Sequence, residues 1–176
     1  MAAATQTVPA LVSLEEYLRT SYHPDRDYVD GRIEERTMGE FEHSTIQIAV
    51  GAWFFNHRAE WQIRVASEYR TKVSESRVRI PDISVFLHAG AAEKVRTTPT
   101  LIAIEILSPE DRMNRVIRRL DDFLQMGVQN VWLLDPIERV GYTLTVEGLR
   151  LVDGARISVP DSPIYLDLPE VFSALD

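Results

Sequence analysis

Residues 101–107 (LIAIEIL) form an apolar run that is interrupted only by Glu105. Apolar side chains at both odd and even positions are typical of a strand that is covered on both faces of its sheet. Residues 108–111 (SPED) then have the composition of a helix N-terminus, and an amphipathic stretch continues to Gly127. Residues 128–134 (VQNVWLL), closed by Asp135-Pro136, predict another strand. We therefore predict a strand–helix–strand unit with parallel strands and a right-handed crossover, and hence an α/β fold.

The rest of the chain predicts a mixed β-sheet flanked by helices. The patterns indicate, in chain order, a short helix at about 14–20, a hairpin over 27–34 that turns at Asp30-Gly31, a helix at about 42–58, strands over 62–73 and 77–87, and a C-terminal β-hairpin of strands 140–146 and 149–152. Pro81 cannot donate a backbone hydrogen bond, so it marks a bulge or an edge. We expect a single domain over residues 13–176, after a loose lead-in at residues 1–12.

The composition narrows the chemistry that the chain can carry out. It contains no cysteine, which excludes disulfides, thiolate zinc sites and cysteine nucleophiles. The net charge of −8 argues against a general nucleic-acid coat, but it is compatible with an enzyme whose metal site is rich in carboxylates. The first residues lack the basic and apolar regions of a secretory signal, and the apolar runs are too short to span a membrane. We therefore expect a cytoplasmic protein with no membrane partner.

Glu105 needs an explanation, because an ionised carboxylate in a covered strand is costly unless it is paired or binds a metal. One interpretation is a buried ion pair with an arginine. The other is a metal ligand, which requires a second carboxylate. Asp82 is the candidate, since it follows Pro81 where we expect the strand to be distorted. This interpretation predicts that the two carboxylates lie on adjacent strands, close enough to share one ion, and that at least one carboxyl pKa is raised.

Several short motifs, in this order, are similar to those of a known family. They comprise residues 28–31 (YVDG), His43, residues 80–85 (IPDISV), 104–109 (IEILSP), 126–128 (MGV) and 131–136 (VWLLDP). Together they resemble the Uma2 family of endonucleases, which belongs to the PD-(D/E)XK nuclease superfamily with the restriction-endonuclease-like fold. The resemblance covers about residues 13–136 and extends more weakly into the C-terminal hairpin.

The resemblance implies a Mg²⁺-dependent endonuclease that hydrolyses phosphodiester bonds of nucleic acid, with DNA favoured over RNA. By this analogy the Asp82 and Glu105 carboxylates and the backbone carbonyl of Ile106 would bind the ion, and Mn²⁺ would serve as a substitute. Magnesium prefers oxygen ligands and keeps several waters, so this set of donors suits it. The ion would stabilise charge on the phosphate and activate a water for attack. Since one site cuts one strand, the fold also implies a homodimer.

The sequence departs from the family pattern at a lysine. Leu107 occupies the position at which the superfamily motif has lysine, two residues after the glutamate. Members of the Uma2 family generally carry a lysine on the following helix, eight residues before the glycine that ends it, and that position is Arg119 here. Arginine cannot act as a general base, but it can hold a phosphate with two hydrogen bonds. Arg115, one turn earlier, would share substrate binding. The alternative for Arg119 is a solvent-facing helix residue.

Asp27 and His43 complete the predicted catalytic set, and each has an alternative role. Asp27 matches a position at which the family usually has glutamate, so it would be a third acid near the metal; otherwise it is a surface acid beside the hairpin turn. His43, near a helix N-terminus, would contact substrate or position a water, or else it caps or packs the helix. Glu68 is expected to pair with Arg70 or Lys72 across the sheet rather than to join the acids.

Two other functions are compatible with the same sequence. A nuclease-like domain with weak catalysis would serve as a binding or assembly module, which the change from lysine to Arg119 and the lack of a broad basic surface favour. The retained acids Asp82 and Glu105 argue against it. A metal-dependent hydrolase of a smaller phosphoester is the third hypothesis, because function resides in the site rather than in the fold. A magnesium-dependent endonuclease is the leading hypothesis.

Overall fold

The computed structural model describes residues 11–36, 40–88 and 93–176. Its elements in chain order are α1 (Leu14–Arg19), β1 (Asp27–Val29), β2 (Arg32–Glu34), α2 (Phe41–His57), β3 (Ile63–Ser67), β4 (Thr71–Ser74), β5 (Arg77–Arg79), β6 (Ile83–Leu87), β7 (Ile102–Ile106), α3 (Met113–Met126), β8 (Asn130–Asp135), β9 (Val140–Thr145), β10 (Gly148–Leu151), β11 (Arg156–Ser158), β12 (Tyr165–Asp167), α4 (Leu168–Phe172) and a final 3₁₀-helix (Ser173–Leu175). Within these ranges no helix combines the length and the apolar character that crossing a membrane requires.

The central sheet has the strand order β10–β9–β8–β7–β6–β3. Strands β7 and β8 run parallel, and the other neighbouring pairs are antiparallel. Strand β7 lies inside the sheet, and each of its residues is buried, as expected of a strand that is covered on both faces. The predicted mixed sheet and the predicted parallel strand–helix–strand unit are therefore confirmed.

One face of the central sheet is covered by α2. Its residues Ile46, Val50 and Phe54 share a hydrophobic core with Ile104 and Trp132 of the sheet. A fully buried apolar side chain of this size contributes about 1.5–3 kcal/mol to folding. This core fixes α2, which carries His43, against the strands that carry the candidate carboxylates.

The opposite face of the central sheet is covered by α3. Val116, Leu120 and Phe123 of this helix pack in a second core that includes Ala103 of β7. Because side chains alternate along a strand, Glu105 points to the same face as Ala103. The sheet therefore directs Glu105 toward the helix that carries the predicted substrate-binding arginines.

The strands predicted over 62–73 and 77–87 are each divided in two, so this prediction was wrong. Glu68 adopts a positive φ of 49° and turns the chain after β3. Strand β3 pairs in the central sheet, whereas β4 joins a small sheet of order β2–β1–β5–β4. In the same way Pro81, which has no N–H to donate, separates β5 in the small sheet from β6 in the central sheet. A 3.3 Å hydrogen bond from Glu68 N to Asp82 O joins the two crossing points.

Helix α3 begins at Met113, four residues after Pro109, where the SPED motif predicts its first turn. The motif forms a turn instead, in which Asp111 N donates to Ser108 O and Ser108 N donates to Asp111 Oδ2. Short polar side chains compete with helix formation in this way by binding nearby backbone groups. The predicted end of the helix is confirmed, since Gly127 has the left-handed φ of 104° that favours glycine.

The chain termini differ from prediction in detail. The C-terminal hairpin β9–β10 is confirmed, but β11, β12 and α4 were not predicted, and Leu168 and Phe172 of α4 join the core under α2. The lead-in predicted over residues 1–12 lies mostly outside the described residues. Its last residue, Val12, donates from N to Gly31 O at 2.8 Å, so this end is attached to the first hairpin rather than loose.

Candidate active site

Asp82 immediately precedes β6, and Glu105 lies in the neighbouring strand β7. In the antiparallel β6–β7 pair Ile83 is opposite Ile104, so the next position of the register places Asp82 opposite Glu105. Side chains opposed in this way have Cβ atoms about 5 Å apart. Both side chains are 3% exposed. The structure thus brings the two carboxylates together, as the sequence analysis predicts.

Asp82 is held by three donors. Its Oδ1 accepts a hydrogen bond from Arg36 Nη2 at 2.7 Å, and its Oδ2 lies 2.8 Å from Ile106 N and 3.2 Å from His43 Nε2. Burial raises the pKa of this carboxyl, but the His43 hydrogen bond and the charge of Arg36 outweigh burial and hold the pKa below its usual range. Asp82 is therefore ionised at neutral pH.

Glu105 is in the opposite electrostatic state. Burial raises its pKa to about 8, because the attraction of Arg119 compensates only part of the lost hydration and the charge of Asp82 opposes ionisation. Arg119 Nε lies 3.5 Å from Glu105 Oε2 but forms no hydrogen bond. The raised carboxyl pKa is as predicted. An arginine does face Glu105, yet no hydrogen bond closes the pair.

Asp27 is buried in β1, so the alternative of a surface acid is wrong. Its Oδ2 accepts a hydrogen bond from Arg79 Nη1 at 2.9 Å, and its Oδ1 accepts one from Ile80 N at 3.2 Å. Burial raises the pKa of Asp27 in spite of the charges of Arg79 and Arg36. Arg79 Nε also donates to Asp122 of α3 at 2.7 Å. One guanidinium group therefore fixes Asp27 and links the small sheet to α3.

His43 lies in the first turn of α2 and contacts Asp82 through Nε2, whereas its Nδ1 is buried without a hydrogen-bond partner among the described residues. Burial lowers the pKa of His43, but the hydrogen bond and charge of Asp82 more than offset this and raise it above its usual value. The ring therefore has one nitrogen fixed on the acid and one that can bind a water or a substrate atom.

Arg119 and Arg115 line a pocket of about 1030 Å³ between α3 and the small sheet. The Arg119 side chain is 16% exposed and also lies 3.5 Å from Asp111 Oδ1, so it is not a solvent-facing helix residue. Arg115 is exposed one turn earlier on the same helix. The helix thus presents one partly buried and one exposed guanidinium group to this pocket.

Arg36 and Gln47 were not predicted as site residues. Arg36 pairs with Asp82 and, at 3.5 Å, with Glu68, and Gln47 Nε2 donates to Asp82 O at 3.2 Å. Arg36 follows a hairpin strand in a polar stretch, and no local pattern connects it with an acid 46 positions later. Only the packing of the first hairpin beside the central sheet brings the two together.

The partners predicted for Glu68 were wrong. Arg70 forms an ion pair with Asp25, and Lys72 forms one with Glu75. The turn at Glu68 removes this residue from the strand on which the prediction placed it, so its side chain meets Arg36 at the site instead.

A second pocket, of about 510 Å³, opens beside Asp82. Its lining includes Arg36, His43, Gln47, Glu68, Arg70 and Asp82. Arg36 lines both pockets, whereas Glu105 is not among the lining residues of either. Each central carboxyl group therefore has one guanidinium group beside it, Arg36 at Asp82 and Arg119 at Glu105.

The donors present suit a hard divalent cation with few protein ligands. Across the described ranges no group of three or more histidine or acidic side chains is arranged to hold a metal. Magnesium, however, is usually bound through one or two carboxylates together with waters and substrate phosphates. Asp82 and Glu105 would supply those carboxylates. In a strand the N–H and C=O of one residue point to the same side, so the Ile106 carbonyl faces Asp82 as its amide does.

The sheet, its flanking helices and the paired acids define a restriction-endonuclease-like protein. The chain belongs to the Uma2 family, whose model, described as "Putative restriction endonuclease", matches residues 14–175. The chain is also similar to a solved structure described as a putative nuclease belonging to DUF820 from Anabaena variabilis ATCC 29413. The two share 26% identity with a TM-score of 0.80, over 93% of this chain and 99% of the other. No curated protein matches the chain.

Proposed function

We propose that this protein is a Mg²⁺-dependent endonuclease that hydrolyses phosphodiester bonds of DNA. Membership of the Uma2 family and the similarity to a nuclease support this proposal. The observation that carries it is Glu105, a buried carboxyl with a pKa of about 8 placed opposite the ionised Asp82. Such a pair costs folding energy, and strongly shifted carboxyls of this kind are typical of functional sites.

Asp82, Glu105 and the Ile106 carbonyl would hold the cation. When bound, the cation acts as a Lewis acid that stabilises negative charge on the scissile phosphate and favours ionisation of the attacking water. Mn²⁺ has the same preference for oxygen ligands and would replace Mg²⁺. Binding a cation between the acids requires Arg36 and Arg119 to give up their present contacts, which frees both guanidinium groups for the substrate.

The arginines of the site would hold the substrate. Arg119 can donate two parallel hydrogen bonds to a phosphate, and its pKa keeps it charged at any useful pH. Arg115, exposed on the same pocket, would contact a neighbouring phosphate of the same strand. Neither arginine can accept the proton of the attacking water, so these residues orient and neutralise rather than act as bases.

His43 is the residue that would bind or relay a proton near the attacking water. Its Nε2 is fixed by Asp82, and its Nδ1 has no hydrogen-bond partner in the described part of the chain. Asp27 would act as a third acid of the site by placing negative charge near Glu105, which raises the Glu105 pKa. Arg79 keeps Asp27 in that position.

The proposal is tested with supercoiled plasmid DNA. The parent protein should nick it with Mg²⁺ or Mn²⁺ and not with EDTA, and Asp82→Asn or Glu105→Gln should abolish nicking. Glu75→Gln, at a side chain that is 98% exposed, is the matched control and should cleave as the parent does. Each variant is compared at equal folded concentration.

The same experiment separates the other hypotheses. A chain that binds DNA but cleaves nothing with either metal would be a binding module, which the arginine pairs on both carboxylates favour. Metal-dependent hydrolysis of bis(4-nitrophenyl) phosphate without plasmid cleavage would indicate a hydrolase of smaller phosphoesters. Either result contradicts the proposed endonuclease.

A further inference from the structure

Helix α2 carries an apolar stripe on the face that points away from its core. Phe41, Ile48 and Phe55 are 73%, 75% and 51% exposed, whereas Ile46 and Val50 on the opposite face are fully buried. The three exposed residues are spaced by seven positions, which is close to two helical turns, so they form one line along the helix. A row of large apolar side chains on a surface helix marks a contact with another protein surface.

The stripe is symmetric about Ile48. Phe41 and Phe55 each lie seven residues from it, about 10 Å along the helix axis. In an antiparallel pair of α2 helices related by a two-fold axis, Ile48 would therefore meet Ile48 of the second copy. Each Phe41 would meet Phe55 of the other copy. A self-complementary surface of this kind is what an isologous dimer interface requires.

The charges at the helix ends follow the same symmetry. Glu40 precedes α2 and Arg58 follows it, and their separation of 18 residues is five full turns, so both lie on one side of the helix. In the antiparallel dimer this side of α2 faces the same way in both copies, while the two helices run in opposite directions. Glu40 of each copy therefore lies near Arg58 of the other copy, at both ends of the helix pair. Among the described residues neither side chain has an ion-pair partner, and Arg58 lies over the Phe55 ring at 3.8 Å.

We infer that the exposed face of α2 is the interface of a homodimer in which two copies of α2 pack antiparallel about Ile48. Gln47, which lines the 510 Å³ pocket, is 11 residues from Arg58 and so lies on nearly the same side of the helix. In the dimer the two 510 Å³ pockets, one in each copy, therefore open on the same side. A dimer with both pockets on one side suits two sites that cut opposite strands of one duplex, so this consequence rests on the proposed function. The interface itself does not depend on that function.

Sedimentation of the full chain tests the interface without any assay of activity. The parent should have twice the 20.1 kDa mass of one chain at high micromolar concentration. Ile48→Asp should raise the dimer dissociation constant by about 100-fold or more, because symmetry places two aspartates together. Val146→Asp, at a residue that is 91% exposed in the β9–β10 turn, is the control and should leave the dimer intact.

Charge reversal identifies the antiparallel arrangement. Glu40→Arg or Arg58→Glu alone should weaken the dimer by about tenfold, and the double variant should restore it. Circular dichroism and the melting temperature check that each variant is folded. A parent that sediments as a monomer, a dimer that survives Ile48→Asp, or a double variant no tighter than either single variant would each overturn the inference.

Discussion

Arg119 Nε lies 3.5 Å from Glu105 Oε2 and yet donates no hydrogen bond, although it is buried. A buried charged group normally makes all its hydrogen bonds, because leaving one unmade is costly. The guanidinium group is therefore near its buried partner without being committed to it. Its Nη2 lies 3.5 Å from Asp111 Oδ1 and makes the hydrogen bond that Nε does not.

Arg119 variants should separate a charge contact from a general base. Arg119→Lys should keep or raise Mg²⁺-dependent nicking, because a charge remains and lysine can also exchange its proton. Arg119→Ala should lower nicking by about 10- to 1,000-fold, the range for loss of one transition-state charge contact. Arg150→Ala, at an exposed arginine of the C-terminal hairpin, is the control. If Arg119→Ala nicks as fast as the parent, the arginine has no part in the reaction.

The pKa of Glu105 predicts how stability depends on pH in EDTA. A carboxyl whose pKa is raised from 4.5 to about 8 on folding binds more protons in the folded state, so its contribution to stability falls as pH rises through that window. Glu105→Gln removes the ionisable group and with it this loss of stability. The melting temperature of the variant should be about 2–8 °C above that of the parent at pH 7, and the difference should shrink toward pH 4. Glu75→Gln should follow the parent curve. A parallel pair of curves for Glu105→Gln and parent would contradict the raised pKa.

Bound Mg²⁺ should offset the unfavourable free energy of ionising Glu105 beside Asp82. Because the cation binds the folded protein, millimolar Mg²⁺ should raise the melting temperature of the parent at neutral pH. Binding should also release protons from Glu105, which calorimetry in buffers of different ionisation enthalpy detects. Asp82→Asn should abolish both effects. A parent melting curve that does not respond to Mg²⁺ would count against the proposed ligands.

Arg36 should compete with the metal for Asp82. Arg36→Ala removes the guanidinium group that Asp82 Oδ1 now binds, so affinity for Mg²⁺ without DNA should rise by about tenfold or more. Nicking should fall in the same variant, since a phosphate contact is lost. Arg32→Ala, at an exposed arginine of β2, serves as control. Lower metal affinity in Arg36→Ala would show that this arginine supports the metal site instead.

The sequence predicted those parts of the fold that depend on local pattern. The apolar run around Glu105 and the glycine at position 127 are enough to predict the strand–helix–strand unit. A buried strand requires apolar residues, and a left-handed helix end favours glycine, so both can be recognised from residue types. The division at Glu68 was missed because the alternation of residues 63–73 continues across it. At Pro81 the sequence indicated a bulge or an edge, but not that the chain changes sheets. A chain that passes from one sheet to another keeps an extended pattern, and only tertiary packing shows the change.

In the candidate site, too, residues marked by a local pattern were predicted, and residues brought in by tertiary packing were not. Glu105 was predicted from the cost of burying an acid, which is a property of one segment, and Asp82 from its place directly after Pro81. Arg36 was not, because its contact with Asp82 depends on how the first hairpin lies against the central sheet. Which cationic side chain lies beside a buried acid depends on the whole fold. The sequence indicates only that the acid needs a partner.

The hydrogen bond from Glu68 N to Asp82 O lies where both chain segments leave one sheet for the other. Asp27 belongs to the small sheet, and Glu105 belongs to the central one. Arg79 holds the two sheets in their present arrangement, since it donates to Asp27 in the small sheet and to Asp122 of α3, which packs on the central sheet. The distance between the Asp27 and Glu105 carboxyl groups is therefore set by the angle between the two sheets, and loss of the Arg79 contacts would change it.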